Sequence, residues 1–403
     1  MSSRFSEILG SHSDIEKQAN KSFLSLHKYL LKNNYCGYEY DDLLESNIVR
    51  LLTFENIYAK IVAVNISKYT GEKTRDFLKV RKRVSTKASG YISHAYLRYF
   101  QAFNDKNFAA KACRHIYWLT RCRSEGYRSS WGNNFEFASR TGLIPKFHPT
   151  VVWTSHISRS FDLAQKIFGG NFHKIVIDSG RFVKENLPIL EDSDGLCFSY
   201  TPKYDNFGIH NANLLAAVCL LRAYKYNSDR EFFHLAKKSI KWSCKKMRSD
   251  GSWQYSHYSE LSRKRVDSYH TGYNLDCLLF AWENFGEELV SWATIEKTYK
   301  YWENNFFNSD YSPKFYPWST YPYDIQTCAQ AIETLVKFSK YNSDSFKIAS
   351  GVLLWTIKNM QKSNGSFRYR IYPKWVNNLE PIHWGQATMA SALANYIYNS
   401  KND

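Results

Sequence analysis

Four stretches of the chain crowd together side chains that can hold a proton or a polar ligand. They are Tyr204, Asp205, Asn206 and His210; Asp267, Tyr269 and His270; Asp324 and Gln326; and His383, Trp384 and Gln386. A carboxylate beside an imidazole can take up and return a proton near neutral pH. Amides and carboxylates bind hydroxyls, and Tyr and Trp rings offer a flat apolar face beside a polar tip. In such a site Asp205 and Asp324 are the candidates for acid and base. His270 and His383 are the alternate proton carriers, with Tyr269 and Trp384 as stacking platforms. Tyr204, Asn206, His210, Asp267, Gln326 and Gln386 would hold the substrate. A plainer reading competes. Asp205, Asp267 and Asp324 each stand just ahead of a helical stretch, where Asp is also a favoured cap, and His210 and His270 would serve equally as hydrogen-bonded structural histidines.

These groups recur because the sequence repeats. At intervals of about 60 residues, starting near Ser89, His148, Gly208, Ser268, Tyr321 and Pro381, a polar-aromatic segment runs into a helix rich in small residues. His94, His148, Trp153 and His156 occupy the matching places in the earlier copies. Between the copies lie amphipathic helices, such as Lys106 to Arg123, Asp229 to Met247, Leu289 to Phe306 and Ser345 to Gln361. Their apolar residues fall at helical spacing, with Lys and Glu opposite. Three turns of one kind follow such helices: SDGLCF at Ser193, SDGSW at Ser249 and SNGSF at Ser363. Glycine stops the outer helix there, and the aromatic packs back on it.

The small-residue helices are too apolar to face water and need neighbours on both sides. The expected fold is therefore all-α, an (α/α)6-type toroid. An inner ring of helices is wrapped by an outer ring, and the leading turns open on one mouth. Residues 1–85 carry helical patterns (Asp14 to Leu31, Leu51 to Tyr69) without the glycine-aromatic turn. They read as an N-terminal hairpin or capping extension of the toroid at 86–403, with no linker between them.

The formal net charge of +17 favours an anionic partner: nucleic acid, an anionic membrane or an acidic glycan. Nothing beyond charge points to nucleic acid, so none is expected. The basic run from Lys237 to Arg248 reads as a solvated outer face, while Ser262 to Asp267 precedes an inner helix and would line the mouth. No apolar run is long enough to span a membrane. The N-terminus lacks a basic segment followed by an apolar one, and the eight cysteines form no CxxC pair. Reduced core thiols in a cytoplasmic protein are expected. No metal or cofactor is expected. Asp41, Asp42 and Glu45 (DDLLE) imitate a diphosphate–magnesium motif but read as part of a surface helix. Asp276 and Cys277 with His270 hint at zinc, yet adjacent helical residues diverge by about 100° and cannot easily share one ion. Asp276, among apolar neighbours, would need a partner if buried.

From Asp194 to Leu393 the chain resembles helical-toroid proteins encoded in bacterial exopolysaccharide, capsule and lipopolysaccharide gene clusters. The resembling blocks are SYTPKYDNFGIHNANLLAA from Ser199, DSYHTGYNLDCLL from Asp267, PKFYPWSTYPYDIQTCAQAI from Pro313 and HWGQATMASAL from His383. The resemblance implies the toroid shared by six-hairpin glycosidases and terpenoid cyclases, and a role in making surface glycan. It brings no established reaction. A terpene cyclase would need a DxDD acid motif, which the sequence lacks. The residues favour a protein acting on an acidic sugar or glycan intermediate by Asp and His (hydrolase, lyase or epimerase type), alongside other polysaccharide-synthesis proteins. A non-catalytic glycan-binding or assembly factor would use the same pocket.

Overall fold

The computed structural model describes residues 11–139, 142–203, 207–258 and 265–402. Tyr204, Asp205 and Asn206 thus lie outside the described residues. The inner helices are Thr86–Phe103, Val151–Phe168, His210–Asn227, Ser268–Phe285, Ile325–Phe338 and Thr388–Asn402. Each packs against the next, and the last packs against the first, so the ring closes. Burial all around fits their composition: every residue from His210 to Ala223 is buried. The outer helices Lys106–Arg121, Phe172–Asn186, Arg230–Lys245, Trp292–Phe306 and Ser343–Met360 are only partly buried. In the third of these the buried residues are Phe232, Ala236, Ser239, Ile240, Trp242 and Ser243, centred on one helix face.

The sixth outer helix comes from the other end of the chain. His12–Lys32 packs on Thr388–Asn402 and Ser343–Met360. The glycine turns show that it takes the place of an ordinary outer helix. Gly251 has φ +91°, and a Cβ there would lie 2.7 Å from the Lys297 carbonyl oxygen in the following outer helix. Gly365 has φ +92°, and its Cβ would lie 2.3 Å from the Ser25 carbonyl oxygen. The glycine thus does more than end a helix: it lets the next outer helix approach backbone to backbone. The aromatic packs back as expected, with Trp253 Nε1 donating to the Ser243 carbonyl at 2.7 Å.

The expected helix from Leu51 to Tyr69 is split into Asn47–Thr53 and Ile57–Ser67, because Phe54 and Glu55 are left-handed. Strand Cys36–Gly37 pairs with Arg83–Val84, and the Ile382 N–H donates to the Tyr38 carbonyl at 2.9 Å. This segment therefore lies over the leading ends of the sixth and first inner helices. It corrects the reading of DDLLE as a surface helix. Asp41 and Asp42 are 5% and 4% exposed, and Arg75 Nε donates to Asp42 Oδ1 at 2.8 Å. Small sheets join the helices elsewhere. One of them, Tyr323–Asp324 with Arg370–Ile371 and Val376–Asn377, sets Asp324 beside Arg370. Cys197, Cys219, Cys277 and Cys328 are buried, whereas Cys113 is exposed. Among the described residues no helix is long and apolar enough to cross a membrane.

Candidate functional site at the leading ends of the inner helices

The first turn of an inner helix has backbone N–H groups without partners, and side chains before it take them. Thr150 caps at Trp153, Asp267 Oδ1 accepts from the His270 N–H at 3.0 Å, and Asp324 Oδ1 accepts from the Gln326 and Thr327 N–H groups at 2.9 and 3.2 Å. Capping fixes which residues reach the axis. The Tyr269 ring lies 5.3 Å from Trp384, and His383 lies 5.3 Å from Trp153. Arg370 sits 5.1 Å over Phe315, itself 5.6 Å from Tyr269. Gln326 Nε2 donates to the Tyr273 hydroxyl at 2.6 Å. Asp267, Tyr269, His270, Asp324, Gln326, His383 and Trp384 are thereby gathered at one end of the ring. His210 faces the same end, sharing with His270 and Tyr255 a recess of about 10 Å³, room for one water.

Asp267 is shared between three partners. Its Oδ2 lies 2.8 Å from His270 Nδ1 and accepts from Arg265 Nε at 2.9 Å. Burial alone would raise its pKa, but the His270 and Arg265 charges and the hydrogen bonds from His270 outweigh it and hold the carboxyl low. Burial lowers the pKa of His270, and Asp267 opposes the drop without cancelling it. The result is a neutral imidazole at pH 7. Because Nδ1 donates to Asp267, Nε2 is the atom free to accept a proton. The side chain keeps 15% of its exposure. Asp267, expected to hold substrate, instead has its Oδ2 between Arg265 and the His270 imidazole, and so fixes how that ring is turned.

His383 sits in a different environment. Its N–H donates to Glu39 Oε1 at 2.7 Å, and its Nδ1 lies 2.6 Å from the same oxygen. Burial pushes Glu39 up to about 8 and His383 down to about 3, so near neutral pH the pair is an uncharged acid and an uncharged imidazole. Lys87, buried 4.6 Å over the Trp153 ring, is lowered to about 8 for the same reason.

Other expected roles are corrected. Asp324 has both oxygens committed, one to the helix cap and the other to Arg370 Nε at 2.5 Å, and the residue is fully buried. It clamps the helix to the small sheet, with neither oxygen exposed. Gln386 spends its whole amide on Phe367, accepting from its N–H at 2.8 Å and donating to its carbonyl at 2.7 Å. It is a structural bracket. Tyr269 is enclosed by His270, Tyr273, Phe315 and Trp384, so it is wall rather than platform. His210 is buried against Trp242 and Trp253 and held down to about 3 by burial. It stays neutral. Asp276, by contrast, finds the partners its burial demands: Thr334 and Gln330 donate to it at 2.9 Å, and Lys337 pairs with it.

Several polar atoms at this end have no hydrogen-bond partner among the described residues: Trp153 Nε1, Trp384 Nε1, His210 Nδ1, Asn211 Oδ1, Asn274 Oδ1 and Gln326 Oε1. Buried polar groups are rarely left so, since each costs about 1–3 kcal/mol. Sequence reasoning missed Glu39, Lys87, Arg370 and Tyr255. Arg265 alone was signalled, by the basic run before Asp267. Glu39 lies outside the repeat, and no local pattern marks it.

A larger space lies elsewhere. A cavity of about 600 Å³ opens at the trailing ends, lined by all six inner helices. A layer of Tyr91, His156 and Tyr273 separates it from the leading-end cluster, with the Tyr91 hydroxyl 3.1 Å from His156 Nδ1 and 3.3 Å from the Tyr273 hydroxyl. Among the described residues no group of three or more His, Cys, Asp and Glu could hold a metal ion.

No protein-family model matches this sequence, and no curated protein does. Solved structures do resemble it. Cellobiose 2-epimerase from Bacillus thermoamylovorans is 10% identical, over 79% of this chain and 90% of its own, with a TM-score of 0.61. A GH76 alpha-mannanase from Bacteroides thetaiotaomicron is 10% identical, over 80% and 88%, with a TM-score of 0.60. A variant of unsaturated glucuronyl hydrolase from Streptococcus agalactiae, complexed with dGlcA-GalNAc6S, is 14% identical, over 96% and 92%, with a TM-score of 0.61. At these identities the likeness is one of fold, and the fold is the α/α toroid.

Proposed function

We propose that the protein acts on an acidic sugar or glycan intermediate of bacterial surface-polysaccharide synthesis, by proton transfer at the leading ends of the inner helices. The observation that carries this reading is the Asp267–His270 dyad, with Nδ1 anchored at 2.8 Å and the ring still partly exposed. Around it stand the unpartnered Trp, Asn and Gln groups, which suit hydroxyls, and the cations Arg265 and Lys87, which suit a carboxylate. The toroid neighbours, an epimerase, a mannanase and a glucuronyl hydrolase by name, support carbohydrate as the substrate class. The four blocks resembling polysaccharide-cluster proteins support the biosynthetic setting, in the cytoplasm and beside other synthesis proteins.

In this reading neutral His270 accepts a proton at Nε2, from C5 of a uronyl residue or from attacking water. Asp267 stabilises the imidazolium, and Arg265 lies close enough to meet the sugar carboxylate. Asp205 keeps the part of second acid or base. The test is incubation with uronic-acid oligosaccharides in deuterated water, followed by NMR. Deuterium at C5, or cleavage, that vanishes in His270→Ala is expected. No turnover on a broad panel overturns the catalytic reading.

A further inference from the structure

The cavity at the trailing ends is built of charge. It is lined by Arg98, Arg159, Lys166, Arg222, Lys337 and Lys340, against the carboxylates Asp162, Asp276, Glu283 and Glu333. The carboxylates are taken: Glu333 by Arg159 at 3.0 Å, Asp162 by Lys166 at 2.8 Å, and Asp276 by Lys337. Glu283 accepts from the Tyr341 hydroxyl at 3.0 Å. Arg98, Arg222 and Lys340 are left with no carboxylate among the described residues.

Arg222 is the telling one. It is 7% exposed, and its Nη1 donates to the Ser155 carbonyl at 2.8 Å and to Ser155 Oγ at 3.4 Å. Its remaining donors meet no acceptor among the described residues. The Phe280 ring lies 5.4 Å from its Cζ. Arg98, stacked 4.7 Å over Tyr398, and Arg159 each have a buried Nε without a partner among the described residues. A buried guanidinium with spare donors is expensive unless an anion completes it. Helix polarity does not account for these arginines. Cations offset a helix C-terminus within its last turn, whereas Arg222 and Arg98 stand five residues before their helix ends and Arg159 nine before its own. The same cations bear on the cavity's histidines: after burial, Arg159, Arg98, Lys337 and Arg222 are what hold His94 low.

The rest of the lining has the chemistry of polyol recognition. Gln330, Asn395 and Asn399 donate their amino groups within the protein and bring their amide oxygens to the lining as acceptors, and Tyr341 and Tyr398 supply rings. A volume of about 600 Å³ is in the range of small-molecule sites.

We infer that the trailing-end cavity is a second ligand site, which binds a mono- or disaccharide-sized molecule through one anionic group held by Arg222, Arg98 and Arg159. Carboxylate and phosphate ester share that chemistry. The site is separate from the leading-end dyad and does not depend on the reaction proposed there.

Calorimetric titration of the full chain at fixed ionic strength, with glucuronate, glucose 6-phosphate and neutral glucose, tests it. At least one anionic sugar is expected to bind ten-fold or more tightly than glucose, and which one does so identifies the anion. Arg98→Gln, at a half-buried position, should weaken that binding at least ten-fold. Arg222→Gln should weaken it further where the protein remains folded, and His270→Ala should leave it unchanged. Equal affinity for glucose and the anionic sugars overturns the inference. So does the absence of binding by all three, or binding unaffected by Arg98→Gln. Loss of the proposed turnover with anion binding intact would indict the reaction alone.

Discussion

The two ends of the ring handle ionisable groups in opposite ways. At the leading ends, burial wins. Glu39 and His383 lie 2.6 Å apart yet both are driven to their neutral forms. Asp267, the carboxylate held low there, caps a helix and is held by Arg265. At the trailing ends the pairs remain ionic, with Glu333 held low by Arg159 and Lys337 against the pull of burial. Helix direction contributes to this difference. Leading turns present unpaired N–H groups that draw acidic caps, and trailing turns present carbonyls that tolerate Lys and Arg. Desolvation then decides which pairs stay charged, because a close contact gains less than burial costs unless further hydrogen bonds support it. The leading end is thus poised for moving protons, and the trailing end for holding a fixed charge.

The sharpest way to break this comparison is His270→Ala, expected to reduce turnover by roughly 10²–10⁴-fold while leaving anion binding at the trailing end intact. Steady-state rates beside titration calorimetry check both. Asp267→Asn should also slow the reaction. It should move the acid limb of the kcat/KM profile, expected below pH 6.5 because His270 is lowered from that value, to still lower pH, since the lost carboxylate was what held the imidazole pKa up.

Glu333→Gln should cost roughly 3 kcal/mol, because it leaves Arg159 buried beside a neutral group. Urea unfolding at pH 7 measures it. Glu39→Gln should do the reverse. The folded pKa of Glu39 is raised from 4.5 to about 8, so its contribution is complete below pH 4.5 and is lost as pH rises through 8. The glutamine variant should match the wild type at pH 4 and be more stable by roughly 3 kcal/mol at pH 7. A destabilised variant at pH 7 would mean that the carboxylate is charged in the folded state. The smallest effect expected is on saccharide binding at the leading end: Trp384→Ala should weaken it by about ten-fold, or roughly 1.4 kcal/mol, read by titration with the uronic-acid oligosaccharides and not with the anionic monosaccharides.

Much of the architecture was legible. The repeat spacing, the small-residue helices and the glycine-aromatic turns led to the toroid, because burial on every side leaves a mark along the whole helix. The turn glycines carried more than was read from them. Gly365 is glycine because Ser25, 340 positions earlier in the chain, comes within 2.3 Å of where a Cβ would stand. The site was half legible. His270, His383 and Trp384 do meet at one end, since equivalent positions in repeated helices must. Asp324 and Gln386 have the right residue type in the right place, but their lone pairs and amide are spent on Arg370 and Phe367. Residue type does not reveal how a side chain's bonds are used. Glu39 was invisible because it reaches the axis from outside the repeat, and Lys87 because a lysine in the first turn of the first inner helix looks like any solvated cation until the fold buries it.

The sequence by itself determined that six inner segments would turn inward with polar leading ends, since local periodicity and capping chemistry act over a few residues. Only the tertiary structure decided which charges survive. Desolvation and partner distance depend on what the fold brings alongside, and they made Glu39 an acid, His270 a base and Arg222 a cation with donors to spare.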